Sequence, residues 1–247
     1  MSSLRVHVLR SGTVRPPLRR GPLSPRADLP VWCFLIEHPA QGLILVDTGL
    51  GQQPLPAHLQ RYYRPEPFPT AAQRLSALGI RPEELSAVLL SDLDIDHTGG
   101  IRDLRGARRF LVSEEEYYWT GRTVFARRQP RALWENDIRF EAYYVRAAAW
   151  APAQHALDLF GDGSVVSVLT PGHTFGNCTT MLTWNGSRLL LAGNAVRRGR
   201  TLEDDTVYHH FRQDKTVAWL RETSAAPDCL GVFATHDPDL SETVLEL

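Results

Sequence analysis

The order of apolar and turn-forming positions along the first part of the chain predicts consecutive β-strands. Short apolar runs at residues 4–9, 31–37 and 43–47 end in turn-forming residues, the last of them at Thr48-Gly49. Runs of this length between turns are typical of strands in one sheet. Residues 10–30 are rich in Arg and Pro and show no hydrophobic period, which predicts an exposed loop.

The pattern then changes to a helical one. Residues 71–78 have helical spacing, with Thr70 as the expected N-cap and Gly79 as the stop. A second short helix is predicted at residues 82–85. The apolar run at residues 87–91 is too short for a helix, so we expect a buried strand there.

The remainder of the chain combines further predicted strands with one segment that lacks a regular pattern. Ser113 and the three glutamates that follow it predict a helix start. Residues 121–154 mix aromatic and charged side chains without a period, which leaves a pocket wall, an interface and an irregular flap as alternatives. Further strands are predicted at 109–112, 165–169, 179–184, 188–192 and 230–234, and a helix at 216–223.

Composition narrows the class of protein. A chain of 247 residues with 43% hydrophobic content can bury a large core, so we expect residues 1–247 to form a single domain. A net charge of -1 gives no electrostatic reason to expect a nucleic-acid partner or an anionic membrane.

The N-terminus and the cysteines indicate a cytoplasmic protein. The first residues lack the basic-then-apolar profile of a signal peptide, and the sequence has no run of about 18 apolar residues. The three cysteines show no C-x-x-C pairing, which favours reduced thiols.

The densest chemistry follows the strand predicted at 87–91. Asp92, Asp94, Asp96 and His97 lie within six positions and are followed by Gly99-Gly100. Carboxylates this close repel one another unless a cation or a raised pKa relieves them, so a bound metal is the economical explanation. The alternative is a solvated acidic loop.

A calcium-binding EF-hand is a superficial match, because D-x-D-x-D is followed by Asp103 at the twelfth position. The sixth position, where the EF-hand needs glycine, is His97, and the preceding element is a predicted strand. We therefore reject this interpretation.

Three other predicted strands end in metal-capable residues. His173 follows one strand in Thr-Pro-Gly-His-Thr, Asn194 follows another in Ala-Gly-Asn, and His236 lies in Ala-Thr-His-Asp. A single histidine is more often a packed or surface residue than a ligand. The repeated placement after strands predicts one shared site.

These motifs together resemble the metallo-β-lactamase superfamily over nearly the whole chain. The matching segments are Leu-Val-Asp-Thr-Gly ending at Gly49, D-H-x-G-G ending at Gly100, Thr-Pro-Gly-His, Ala-Gly-Asn and Thr-His-Asp. Within the superfamily the chain is most similar to the N-acyl homoserine lactonase-like branch. The resemblance implies an α/β fold, a four-layer αββα sandwich, with metals held at one edge of the sheets and hydrolysis of a small-molecule substrate.

The resemblance also implies a ligand set from which this chain departs. The family motif H-x-H-x-D-H has its first two histidines replaced by Asp92 and Asp94, and Asn194 stands where an aspartate normally bridges two metals. The positions that match the family pattern are Asp96, His97, His173 and His236. His173 matches the third ligand of the first metal site, and the other three match the second site.

The altered set still suits one or two divalent ions, with zinc, manganese and iron as candidates. Exchanging imidazole nitrogen for carboxylate oxygen favours harder ions such as Mn²⁺, Mg²⁺ or Ca²⁺ over zinc, with Fe²⁺ also compatible. Loss of the bridging aspartate should weaken coupling between two sites. A single ion held by Asp96, His97 and His236 is therefore one expectation.

The resemblance implies a metal-dependent hydrolase that attacks an ester or lactone-type bond with a metal-activated water. Asp96 would hold the metal and orient the water, and Tyr208 is a candidate donor to a developing oxyanion. Carboxylate ligands make the bound metal a weaker Lewis acid, which acidifies its water less. We therefore expect slower hydrolysis than at a histidine-rich site.

Other functional hypotheses remain open at this point. The main alternative is a catalytically degenerate protein that binds a ligand or partner through the pocket that holds the metals in the related family. A non-hydrolytic iron enzyme ranks last, since the sequence shows no redox module. The sequence leaves a homodimer open.

Overall fold

The computed structural model describes residues 2–15, 28–65, 67–120, 122, 128–129, 131–148, 151–200, 202 and 213–247. The strands in these residues are β1 Arg5–Val14, β2 Leu29–His38, β3 Gly42–Val46, β4 Tyr63–Arg64, β5 Leu85–Leu89, β6 Phe110–Ser113, β7 Phe140–Tyr143, β8 Arg146–Ala148, β9 Ala151–Asp158, β10 Val165–Leu169, β11 Cys178–Trp184, β12 Ser187–Gly193, β13 Cys229–Ala234 and β14 Thr243–Glu246. The α-helices are α1 Ala71–Ala77, α2 Ile95–Thr98, α3 Glu114–Trp119 and α4 Gln213–Ser224.

The strands form two sheets. The first has the order β14-β1-β2-β3-β5-β6-β7, with β4 paired to β1, and the second has the order β13-β12-β11-β10-β9-β8. The parallel pairs β3·β5, β5·β6 and β6·β7 in the first sheet, and β12·β13 in the second, require crossover connections. The ends of these strands therefore meet at a common edge.

Alternation along the buried strands explains the layers. In β2, Phe34 and Ile36 face the second sheet and pack with Leu182 and Leu191, whereas Leu35 faces the other way. Successive side chains of a strand point to opposite faces, so a strand buried throughout needs cover on both sides. Leu35 packs with Leu75 of α1, and on the far side Leu220 of α4 packs against Leu190. The order of layers is helix, sheet, sheet, helix, which confirms the predicted αββα sandwich.

Strands also lie in the two segments for which the sequence predicted no regular element. β1 continues to Val14 and β2 begins at Leu29, so the prediction of a loop over 10–30 was wrong at both ends. The segment 121–154 carries β7, β8 and the start of β9. In β7 the two middle residues, Glu141 and Ala142, are exposed, so this strand lacks hydrophobic alternation. Residues 16–27, 121, 123–127, 130 and 149–150 of these two segments lie outside the described residues.

Helix starts follow the predicted caps. The Thr70 hydroxyl accepts from the Gln73 amide, and the Gln73 side-chain oxygen accepts from the Thr70 amide, forming a capping box. The Ser113 hydroxyl likewise accepts from the amide of Glu116. Among the described residues, no helix is both long enough and apolar enough to span a lipid bilayer.

Candidate metal centre

Each polar residue of the centre follows a strand at the same edge of the two sheets. Asp47 follows β3, and the motif from Asp92 to His97 runs from the end of β5 into α2. His173, Asn194 and His236 come after β10, β12 and β13. The first sheet thus supplies Asp47 and the acid-rich turn, and the second sheet supplies His173, Asn194 and His236.

Two glycines allow these strand ends to approach closely. A Cβ on Gly100 would lie 2.6 Å from the Thr48 carbonyl oxygen, so the double glycine of the motif accommodates the turn after β3. Gly193 has φ +55°, and a Cβ there would lie 2.7 Å from the Ser91 side chain. Glycine is the residue that combines this backbone conformation with such contacts.

Asp96, His97 and His236 form the cluster best suited to a metal. Their ligand atoms all lie within 4.8 Å of one another, and all three side chains are buried. Asp96 Oδ2 lies 3.0 Å from His236 Nε2 and 3.8 Å from His97 Nε2. Asp96 Oδ1 is buried and has no hydrogen-bond partner among the residues that the structure describes.

Both imidazoles are oriented by their other nitrogen. His97 Nδ1 lies 2.8 Å from Asp47 Oδ2, and His236 Nδ1 lies 2.8 Å from the Pro30 carbonyl oxygen. Each acceptor favours the proton on Nδ1 and leaves the Nε2 lone pair facing the cluster, which is how metal-binding histidines are commonly held. Together with the unpartnered Asp96 oxygen, this donor set fits a divalent ion.

Asp47 itself has an unusual backbone conformation, with φ 60°. Its carboxylate accepts from the Ser91 amide and the Ser91 hydroxyl, both at 2.8 Å, in addition to its bond with His97. A non-glycine residue in this region is strained and persists when surrounding contacts fix it. The buried hydrogen bonds of Asp47 supply those contacts.

The electrostatics of the cluster match a site built for a cation. Burial strongly raises the pKa of the Asp92 carboxyl, and the neighbouring acids add to this effect. Burial alone would lower the pKa of His97, but Asp92, Asp47 and Asp96 outweigh it and raise that pKa well above the usual value. Burial would raise the pKa of Asp96, yet His97 and His236 together lower it. The buried acids and the imidazoles of His97 and His236 therefore stabilise each other's charged forms.

Asn194 and Asp92 border the same cluster. The Asn194 Nδ2 atom lies 2.9 Å from His97 Nε2 and 3.4 Å from Asp92 Oδ2. Asp92 Oδ2 is 3.5 Å from His97 Nε2. Both residues therefore lie beside His97, at the border of the Asp96, His97 and His236 cluster.

Asp94 and His173 form a second group of contacts. Asp94 Oδ2 lies 3.0 Å from His173 Nε2 and 3.1 Å from Arg128 Nε, and the Asp94 side chain is only 2% exposed. Asp94 is thus paired with a guanidinium. The predicted ligands therefore fall into two groups. Asp96, His97 and His236 have ligand atoms that could hold one ion, whereas Asp94 contacts His173 and is paired with Arg128.

Glu116 joins the loops around the site, a role that the sequence did not predict. Its carboxylate accepts from the Leu93 amide at 3.1 Å, the Gly176 amide at 3.2 Å and the Gln129 side chain at 2.9 Å. Burial is the main reason that the pKa of Glu116 is raised to about 7. The acid-rich turn, the loop after β10 and the Arg128 segment are all fixed to this one side chain.

Tyr208 lies outside the described residues, so its role stays a prediction. Asn177 donates from Nδ2 to the Thr170 carbonyl oxygen at 3.1 Å and so supports the loop that carries His173. Asp103 is exposed, unlike the buried motif aspartates, which agrees with the rejection of an EF-hand loop.

Comparison with known proteins identifies the family. Residues 26–228 match the model of the Metallo-beta-lactamase superfamily. An N-acyl homoserine lactonase of Bacillus cereus is 34% identical over 210 residues, covering 78% of this chain and 75% of the relative. A probable metallo-hydrolase of Mycobacterium bovis is 29% identical over 230 residues, covering 81% of this chain and 72% of the relative.

Solved structures agree with this fold. An N-acyl homoserine lactone hydrolase with N-hexanoyl-L-homoserine bound at its catalytic metal centre has a TM-score of 0.74 at 20% identity, covering 97% of this chain and 95% of that one. A dizinc quorum-quenching lactonase has a TM-score of 0.63 at 15% identity, covering 96% and 88%. The chain belongs to the metallo-β-lactamase superfamily and to its lactonase-like branch of metallo-hydrolases.

Proposed function

We propose that the protein is a metal-dependent hydrolase that cleaves an ester or lactone-type bond of a small molecule. The observation that carries this proposal is the buried Asp96, His97 and His236 cluster, with both imidazole Nε2 atoms directed inward. The names of relatives support the bond type, since several are N-acyl homoserine lactonases.

The chain's own residues define what the site can do. Asp96, His97 and His236 would hold a divalent ion, which supplies an acidified water and polarises the substrate carbonyl. Asp47 keeps His97 in the tautomer that presents Nε2. Asp96 Oδ1 has no partner among the described residues. It can accept a hydrogen bond from a water or hydroxyl group beside the ion and so orient that group.

A direct test combines metal content with hydrolysis. Wild-type protein is assayed against N-hexanoyl-L-homoserine lactone and a simple aryl ester, with and without chelation followed by addition of Zn²⁺, Mn²⁺ or Fe²⁺. The double variant Asp96→Ala/His97→Ala should lose both bound metal and activity, whereas the exposed Asp103→Asn should lose neither. Unchanged metal content in the double variant would refute the assignment.

A non-catalytic ligand-binding protein is the second candidate, and one contact favours it. The Asn194 amide nitrogen lies 2.9 Å from His97 Nε2, so an amide donor occupies a position from which a metal ligand is expected. Protein purified without chelator and carrying less than about 0.2 metal per chain, with no hydrolysis after metal addition, would support this candidate.

A further inference from the structure

The contacts of Asp94 indicate how many metal ions the centre holds. Asp94 Oδ2 is shared between His173 Nε2 at 3.0 Å and Arg128 Nε at 3.1 Å. The Arg128 side chain is 16% exposed, so this ion pair is shielded from solvent. A shielded guanidinium at this distance neutralises the carboxylate and holds it in a fixed direction.

Arg128 is fixed in place by its own main chain and by its neighbour. The Arg128 carbonyl oxygen accepts from the Ile95 amide at 2.9 Å. Gln129 donates to Glu116, which in turn accepts from the Leu93 amide. The guanidinium is therefore anchored to the acid-rich turn on both sides of Asp94.

The Asp92 carboxylate is directed toward His97 and Asn194. Its Oδ1 accepts from the Asp94 amide at 2.9 Å, and its Oδ2 faces His97 and Asn194. Among the described residues, the acids and imidazoles whose ligand atoms cluster within 4.8 Å are Asp96, His97 and His236.

We propose that the Arg128 guanidinium takes the electrostatic place of a second metal ion, so that the centre binds a single divalent ion at Asp96, His97 and His236. This inference rests on the proposed metal-dependent function. Arg128 is a positioning residue in this scheme: it compensates Asp94 and repels a second cation. Asp94 Oδ1, which is buried without a partner in the described part of the chain, is the atom through which a second ion would bind once the guanidinium is removed.

The test is metal stoichiometry by elemental analysis after saturation with Mn²⁺ and removal of free ions. Wild type should hold about one ion per chain and Arg128→Gln about two, while Arg128→Lys, which keeps the positive charge, should stay near one. Arg131→Ala is the matched control because Arg131 is exposed and close in sequence.

Each outcome bears on a different proposal. Two ions in wild type, or one ion in a folded Arg128→Gln variant, would overturn the role of Arg128 and leave the proposed function standing. No ion in wild type would overturn the proposed function and this inference with it. If Arg128→Gln is poorly folded, its melting temperature is followed with added Mn²⁺. A larger rise than in wild type supports the inference, and an equal rise overturns it.

Discussion

Replacement of Asp47 by Asn should weaken metal binding without unfolding the protein. Asn tolerates the left-handed backbone conformation found at this position, where φ is 60°. The new amide keeps one oxygen and gains one NH₂ group. The Ser91 main-chain amide can only donate, so the oxygen should stay on Ser91, which leaves the NH₂ group against His97 Nδ1.

The expected magnitude follows from this contact. With a donor opposite Nδ1, the His97 proton moves to Nε2, the atom that faces Asp96. Loss of an outer hydrogen-bond partner typically reduces metal affinity by about 10- to 100-fold. That loss corresponds to about 1.4 to 2.7 kcal/mol of binding free energy.

Isothermal titration of the metal-free protein with Mn²⁺ or Zn²⁺ measures the effect directly. Asp103→Asn, the same chemical change at an exposed position, should bind metal as wild type does. If Asp47→Asn folds normally and its affinity stays within about twofold of wild type, the tautomer argument is wrong.

Other predictions concern stability. Glu116→Ala leaves buried donors, including the Gly176 amide, without an acceptor, and should lower the free energy of unfolding in urea by roughly 3 kcal/mol, whereas the exposed Glu222→Gln should change it little. Since the raised pKa of Glu116, about 7, means that the folded state favours the neutral form, stability from this group is full below the ordinary carboxyl pKa and is lost as pH rises through about 7. Glu116→Gln should flatten this decline in urea titrations across that range, and an unchanged slope would contradict the assignment. Gly193→Ala, with φ +55° and a Cβ 2.7 Å from Ser91, should cost about 1–3 kcal/mol and weaken metal binding, as thermal melts with and without Mn²⁺ would show. Chelation should lower the melting temperature of wild type, because an ion at about 100 times its dissociation constant adds roughly 2.7 kcal/mol to stability.

The fold could be predicted because the first-sheet strands and the motifs at their ends are local signals. The apolar run before Asp92 is short and the acid-rich turn follows it directly, so the sequence places the turn at a strand end. The strands within 121–154 were missed because a half-exposed strand such as β7 lacks the alternation that identifies β-structure.

The residues of the site could be predicted from the sequence, but the hydrogen bonds and ion pairs that hold them in place could not. Asp96, His97 and His236 were expected together, and the structure brings them together. The pairing of Asp94 with Arg128 and the anchoring by Glu116 depend on contacts between distant segments, and Arg128 lies in a stretch without any pattern. Asp47 stood in a matched motif, but only the structure shows its contact with His97.

The centre also lies across the seam between the two halves of the sandwich. Asp96 and His97 come from the first half and His236 from the second, where Trp32 Nε1 donates to the Asp237 carbonyl oxygen at 2.9 Å and ties the halves together beside the site. A divalent ion there would cross-link the two sheets, which share one hydrophobic core. Any parting of those sheets would release it, so ion loss should precede global unfolding and the ion's residence time should report how rarely the seam opens.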